Sequence, residues 1–144
     1  MTTQSKQAPY RSFRFRLEIE GLRIGQFSEV TGLQAETETE SYEEGGVNDF
    51  VHQLPKQTKY SRLTLKRGLT DRDELWSWYQ EVVQGTVKRR NGAIVLVDAN
   101  GDDKWRWNFF QAYPVKWIGP DLRADSNTVA FEAVELVHHG IKMD

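Results

Sequence analysis

One ten-residue run constrains this chain more than any other: Leu33-Gln-Ala-Glu-Thr-Glu-Thr-Glu-Ser-Tyr42. It alternates with period two, Glu36, Glu38 and Glu40 in one row and Thr37, Thr39 and Ser41 in the other, yet neither row is apolar. Period two and threonine favour an extended strand. A strand polar on both faces gains little from burial in its own core. It must therefore lie at a sheet edge, or in a sheet wetted on one side and contacted by a partner on the other. Its unpaired backbone groups would template further pairing, which three carboxylates in a row restrain.

The charges around this run are segregated. Residues 24–55 hold seven acids (Glu29, Glu36, Glu38, Glu40, Glu43, Glu44, Asp49) and no Lys or Arg. Residues 56–67 hold five bases (Lys56, Lys59, Arg62, Lys66, Arg67) and no acid. Over all 144 residues the imbalance disappears, 19 Lys and Arg against 21 Asp and Glu giving a net charge of −2. Such blocks either match opposite blocks on a neighbouring copy or pair as adjacent strands within one chain; charge alone supports both. The overall balance argues against a generic basic nucleic-acid binder and against a polyanionic tail.

The length predicts a single domain over 1–144, with 1–11 as an extended N-terminal arm. The absence of cysteine excludes a disulfide framework, a thiolate metal site and a cysteine nucleophile. Met1 to Lys6 lacks the apolar core of a secretory signal, and the longest apolar run, Ala93 to Val97, is too short to span a membrane.

Other segments have clear periodicity. Phe13 to Glu20 alternates strictly, with Phe13, Phe15, Leu17 and Ile19 on one face, and predicts a half-buried strand. Gly21 and a short strand from Leu22 to Phe27 read as a hairpin, and Gly32 as a turn. Residues 40–59, with a turn at Glu43 to Gly46, read as a long loop or projecting hairpin; this length is usually functional. Tyr60 to Arg67 is a strand with Leu63 and Leu65 inward. Residues 71–84 give one helix. Thr70 or Asp71 is available as its cap, and Asp71 with Glu74 has capping-box spacing. Its apolar stripe is Leu75, Trp78, Tyr79 and Val82, and Gly85 is its stop.

Ala93 to Asp98 reads as a strand buried on both faces, followed by an Asn-Gly hairpin turn at 98–101. Lys104 to Gln111 places Trp105, Trp107 and Phe109 on one side, and Tyr113 to Trp117 forms a further short strand. The last strand, Val129 to Val137, shifts its apolar phase, as a bulge or one strand serving two sheets would. Seven to nine strands and one helix make the class α+β, mostly β, a sandwich or barrel.

No catalytic constellation emerges. His138 and His139 are adjacent and point to opposite faces of a strand, and with His52 they read as surface or interface histidines. No phosphate loop or nucleophile elbow is present, and the carboxylates form an evenly spaced row instead of a tuned acid/base pair. Lys88-Arg-Arg90 reads as a solvated turn; with Lys56 to Arg67 it leaves a small β-barrel nucleic-acid-binding module as an alternative from another class.

An ordered series of short motifs runs through residues 12–141: Phe27-Ser-Glu-Val-Thr-Gly-Leu33, Tyr42-Glu-Glu-Gly-Gly46, His52-Gln-Leu-Pro55, Lys59-Tyr-Ser-Arg-Leu-Thr-Leu-Lys-Arg-Gly68, Arg89-Arg-Asn91, Ala112-Tyr-Pro-Val-Lys-Trp117 and Glu135-Leu-Val-His-His-Gly140. This series resembles the phage tail tube family, the inner tubes of contractile phage tails and of phage-tail-like contractile injection systems. Lys56-Gln57 departs from it, where a Gly is expected.

The resemblance implies a β-barrel or sandwich with a flanking helix, assembled as stacked hexameric rings into a hollow conduit. The partners it implies are further copies of the chain, a surrounding sheath, baseplate or hub proteins and a terminator. Cargo or DNA passes the lumen without specific binding. The protein would be no enzyme, would need no cofactor or metal, and would assemble in the cytoplasm, without a signal peptide or membrane insertion, into a phage virion or an injection particle. A baseplate-proximal tube initiator of the same family is the alternative. Within this picture Thr37 and Thr39, or alternately Glu36, Glu38 and Glu40, would line the lumen. Contacts between subunits and rings would come from residues 43–58 and the adjoining bases, through Glu43, Glu44, Asp49, Phe50, His52, Lys56, Lys59 and Arg62.

Overall fold

The computed structural model describes residues 13–22, 27–42, 52–125 and 127–144. The expected N-terminal arm, most of the short strand expected at 22–27 and the turn at 43–46 lie outside the described residues. Nine strands and one helix follow in the order β1 (Phe13–Ile19), β2 (Glu29–Thr31), β3 (Ala35–Tyr42), β4 (His52–Tyr60), β5 (Leu63–Gly68), α1 (Glu74–Val83), β6 (Arg90–Asp98), β7 (Asp103–Ile118), β8 (Phe131–Val137) and β9 (Ile141–Met143). Every pairing between these strands is antiparallel. The order β1-β6-β7-β8-β5-β2 is an open path, with β9 also on β7, so the architecture is sandwich-like and not a closed barrel.

The sandwich depends on β7, 16 residues long. Its first half pairs with β6 and β9, its second half with β8. The sequence reads this segment as two strands and assigns the two-sheet role to the last one. The joint is a bulge at 110–111, where Gln111 has φ 55° and its N–H is held by Asn91 Oδ1 at 3.0 Å. The last strand instead begins at Phe131, keeps unbroken register with β5, and leaves Val129 outside it at 67% exposed. Its phase shift is therefore the strand's start, not a bulge.

The core comprises Leu17, Ile19, Leu63, Leu65, Leu75, Trp78, Ile94, Phe109, Val134 and Leu136 among others. Period two gives each strand its contribution: Leu17 and Ile19 from β1, Leu63 and Leu65 from β5, Val134 and Leu136 from β8. Two aromatics expected inside are not: Phe13 is 51% and Trp105 42% exposed, because the core lies toward the other ends of their strands. Within Ala93 to Val97, Ala93, Ile94 and Val95 are buried and the last two only in part.

The helix is shorter than expected. It starts at Glu74, and its N-cap Asp73 makes no side-chain capping bond. Thr70 Oγ1 accepts from Arg72 N–H in the preceding turn at 3.2 Å. The expected capping box does not form because the helix begins late: Asp71 lies before the N-cap, and Glu74 is the first helical residue, with its carboxylate on Arg67. The end matches expectation: Gly85, at φ 88°, donates to Val82 O while Thr86 N–H reaches Glu81 O, the pair of bonds of a glycine-terminated helix. Leu75 and Trp78 are fully buried, Tyr79 and Val82 in part. No helix among the described residues is long and apolar enough to cross a membrane.

Candidate functional site

The two-faced polar run forms β3, and β3 pairs only with β4, in a two-stranded sheet apart from the sandwich. The segment expected as a loop or projecting hairpin over 40–59 is thus a longer ribbon, spanning 35–60 with the link 43–51 outside the described residues. Along β3 only Glu38 is even partly covered, and along β4 only His52. Two residues of β4, Lys56 and Gln57, stand opposite one of β3, between the pairs Thr37–Thr58 and Thr39–Pro55. This bulge sits where the sequence departs from the tail tube pattern. It also reverses the phase of β4, so Lys59 and Leu54 share a face.

The two faces differ in chemistry. One carries Glu36, Glu38, Glu40 and Tyr42, with Lys59 on an ion pair to Glu38 and His52 in ring contact with Tyr42. The hydrogen bond to Glu38 and its charge hold the Lys59 ammonium above its ordinary pKa. The other face is a neutral hydroxyl and amide ladder: Thr37 Oγ1 to Thr58 Oγ1 at 3.0 Å and Gln53 Nε2 to Ser41 Oγ at 3.1 Å. Tyr60 continues this second face at the root, where its ring tilts against His138 with centroids 5.8 Å apart. The threonine face therefore leans on the body at its root, and the glutamate face points away.

The charge blocks are partly paired within the chain. Besides Lys59 with Glu38, Lys66 lies 3.9 Å from Glu29 on the neighbouring strand. Arg67 is buried, with Nε on Glu132 at 2.7 Å and Nη2 on Glu74 at 2.9 Å. The block of five bases at 56–67 thus loses Arg67 to the interior. The solvated turn expected at Lys88-Arg-Arg90 loses Arg90 in the same way: it is 6% exposed and donates to Glu20 O at 2.8 Å.

Of the expected contact residues, Lys56, Lys59 and Arg62 are exposed on or beside β4 and His52 is half-buried at its start. Glu43, Glu44, Asp49 and Phe50 lie outside the described residues. Sequence reasoning missed the Arg67–Glu132 pair. Its signal was present: Arg67 continues the inward row Leu63-Leu65, and Glu132 continues the inward row Val134-Leu136 backwards.

A mostly β sandwich bearing a charged ribbon solvated on both faces is the form of a structural protein that presents surfaces to other chains. The chain belongs to the T4-like virus tail tube protein gp19 family, whose model matches residues 11–142. Among solved structures it is similar to a chain of the anti-feeding prophage baseplate, 6-fold symmetrised, at 26% identity and TM-score 0.84, covering 95% of this chain and 96% of that one. A chain of the sheath/tube terminator of the extracellular contractile injection system PVC in its extended state matches at 25% identity and TM-score 0.85, with 97% and 99% covered. Hcp1 from Flavobacterium johnsoniae shares the fold at 17% identity and TM-score 0.64, with 90% and 94% covered. No curated protein sequence matches the chain.

Proposed function

We propose that the protein is the repeating inner-tube subunit of a contractile injection system or phage tail. Six copies close into a ring through a heterologous interface. Rings stack through an open one, and the stack is a hollow conduit for cargo. The carrying observation is the β3–β4 ribbon, a two-stranded sheet exposed on both faces. Such a sheet is marginal in isolation and is accounted for once neighbours and lumen water take its faces. The 6-fold symmetry named for the anti-feeding prophage relative supports the ring.

The protein acts as a passive conduit, not an enzyme, in one domain assembled in the cytoplasm. A sheath lies outside it, with baseplate and terminator proteins at the tube's ends. The glutamate row of β3 faces lumen water, because the threonine row meets the body through Tyr60. An acidic wall repels DNA and acidic cargo instead of trapping them. Residues 43–58, with the adjoining Lys59 and Arg62, contact the adjacent subunit or ring. Exposed charge pairs there set register more than affinity.

Electron microscopy of the purified protein over a range of concentrations tests the reading. Long hollow tubes are expected. Single rings would select the baseplate-proximal initiator, and monomers at every concentration would overturn ring formation. Deleting Gly45 to Asp49 is expected to give folded monomers or single rings; tubes of normal length in that variant would remove residues 43–58 from the inter-ring contact.

A further inference from the structure

Two cations at the β7 bulge are held in place with no acid to meet them. The Arg89 guanidinium lies over the Tyr113 ring at 4.8 Å and donates through Nη1 to His139 Nε2 at 3.2 Å. Lys142 Nζ stands 5.9 Å from the centre of the Phe110 ring. His139 N–H donates to Phe110 O and Phe110 N–H to Gly140 O, so the two cations flank one short stretch of paired backbone. Lys88, also exposed, precedes Arg89. Other bases on β6 and β7 are paired: Arg90 with Glu81 at 3.6 Å, Arg106 with Glu18 at 2.8 Å and Lys116 with Glu135 at 3.8 Å. Among the described residues no carboxylate pairs with Lys88, Arg89 or Lys142. The rings already restrict two of these heads, so less freedom is lost when an anion binds them.

This basic ledge flanks the root of the ribbon. Gly140, between His139 and Lys142, faces Tyr60: a Cβ on it would stand 3.4 Å from that ring. Tyr60 is the last residue of β4. The far end of the ribbon has the opposite charge, since residues 43–51 hold Glu43, Glu44 and Asp49 and no base. This acidic tip cannot reach the ledge of its own chain. The eight residues of β3 hold the two about 27 Å apart. The tip starts after Tyr42 and ends before His52, which face each other across the ribbon, so it extends no more than about 15 Å from them. Acids and ledge therefore sit at opposite ends of one element, the arrangement that an open head-to-tail contact between copies requires.

We propose that the ledge of Arg89 and Lys142, with Lys88 beside it, receives Glu43, Glu44 and Asp49 of a second copy, so that the acidic tip of one subunit's ribbon seats beside the ribbon root of the next. This names the receiving surface for the contact that the tube reading gives to residues 43–58, and rests on that reading. Each exposed pair adds little to affinity, but like charges brought together there repel, so the ledge selects the register of the contact.

Charge reversal in the full chain, followed by sedimentation and electron microscopy at about 0.1 M salt, tests the ledge. One variant reverses the tip, with Glu43→Lys, Glu44→Lys and Asp49→Lys. The other reverses the ledge, with Lys88→Glu, Arg89→Glu and Lys142→Glu. Each alone sets like charges against each other and is expected to associate at least about tenfold more weakly than the natural protein. In an equimolar mixture each tip again finds a ledge of opposite charge on the other variant, and association is expected to return to within about threefold of the natural value. The milder Arg89→Gln with Lys142→Gln, which serves if a reversed chain does not fold, is expected to lose several-fold in association and most of its salt dependence. A variant that associates like the natural protein, or a mixture of folded variants no stronger than its parts, would overturn the proposal and leave the tube reading standing. A natural protein that stays monomeric at every concentration would overturn both. An unrescued mixture, together with binding of double-stranded DNA that only the ledge reversal abolishes, would give the ledge to a nucleic acid instead.

Discussion

Arg67 is the residue on which the sandwich's lower end turns. On β5 it faces inward directly opposite Glu132 of β8, and both are about 3% exposed. Trp117 Nε1 donates to the second Glu132 oxygen at 3.2 Å, and Glu74 at the start of α1 takes the second arm of Arg67. One guanidinium thus joins two strands and the helix. Removing one partner of a buried pair strands the other charge, so Arg67→Met is expected to cost about 3–5 kcal/mol in urea unfolding. Arg67→Met with Glu132→Leu should recover much of that loss, because a buried ion pair is often matched by apolar residues of similar volume.

The same group sets an acid dependence. Burial raises the Glu74 carboxyl, but its bonds to Arg67 and its own backbone N–H together lower it more, leaving it below the ordinary value. A depressed carboxylate adds stability that is present in full above the unfolded value of about 4.3 and is lost as pH falls through its folded value. Unfolding free energy measured from pH 6 to 3 should therefore fall, and fall less steeply in Glu74→Gln.

At the scale of elements, the ribbon's root is the tightest point. Gly32, between β2 and β3, has φ 96°, and a Cβ there would lie 1.9 Å from the carbonyl oxygen of Arg62, between β4 and β5. The chain entering the ribbon crosses the chain leaving it with no room for a side chain. Gly32→Ala is expected to destabilise by about 2 kcal/mol or more, from strain and clash together. Gly101→Ala, at φ 88° with open space around it, carries the strain alone and should cost less. Thermal unfolding of the two variants side by side checks the difference.

Elements were legible in the sequence where one periodicity ruled. The alternations of β1 and β5, the helix stripe and the Gly85 stop all lie within a few residues of expectation. The ribbon was half legible: its two polar rows marked β3, but β4 carries Pro55 and a bulge, which hide its alternation. The long β7 was read as two strands because a bulge at Gln111 breaks its pattern without ending it, and β9 is too short to have a period. The buried Arg67 and Arg90 were read as surface charges because composition cannot see a partner 65 or 70 residues away in sequence.

For the whole molecule, the consequences concern association. Segregated charge supported pairing between copies and pairing within the chain alike; Lys59 and Lys66 find acids within the chain. Among the described residues of the ribbon and its root, groups exposed to neighbours include the backbone edges, the apolar Tyr42 and Leu54, the carboxylate of Glu40 and the bases Lys56 and Arg62. If the glutamate row meets water, Glu40→Lys should leave assembly intact in electron micrographs while changing the charge seen by a permeating anion. Loss of assembly in that variant would show instead that the row is buried between subunits. Association through any such surface also stabilises the folded state by mass action, so the melting temperature is expected to rise with protein concentration and to stop doing so when the ribbon is truncated.

The strand shared by both sheets has a mechanical corollary. The two sheets of a sandwich interlock across their seam through facing side chains and are linked by loops. Here 16 residues of continuous backbone cross it, so thrust delivered to one sheet reaches the other through covalent bonds. A subunit loaded along β7 would hold its two layers in step.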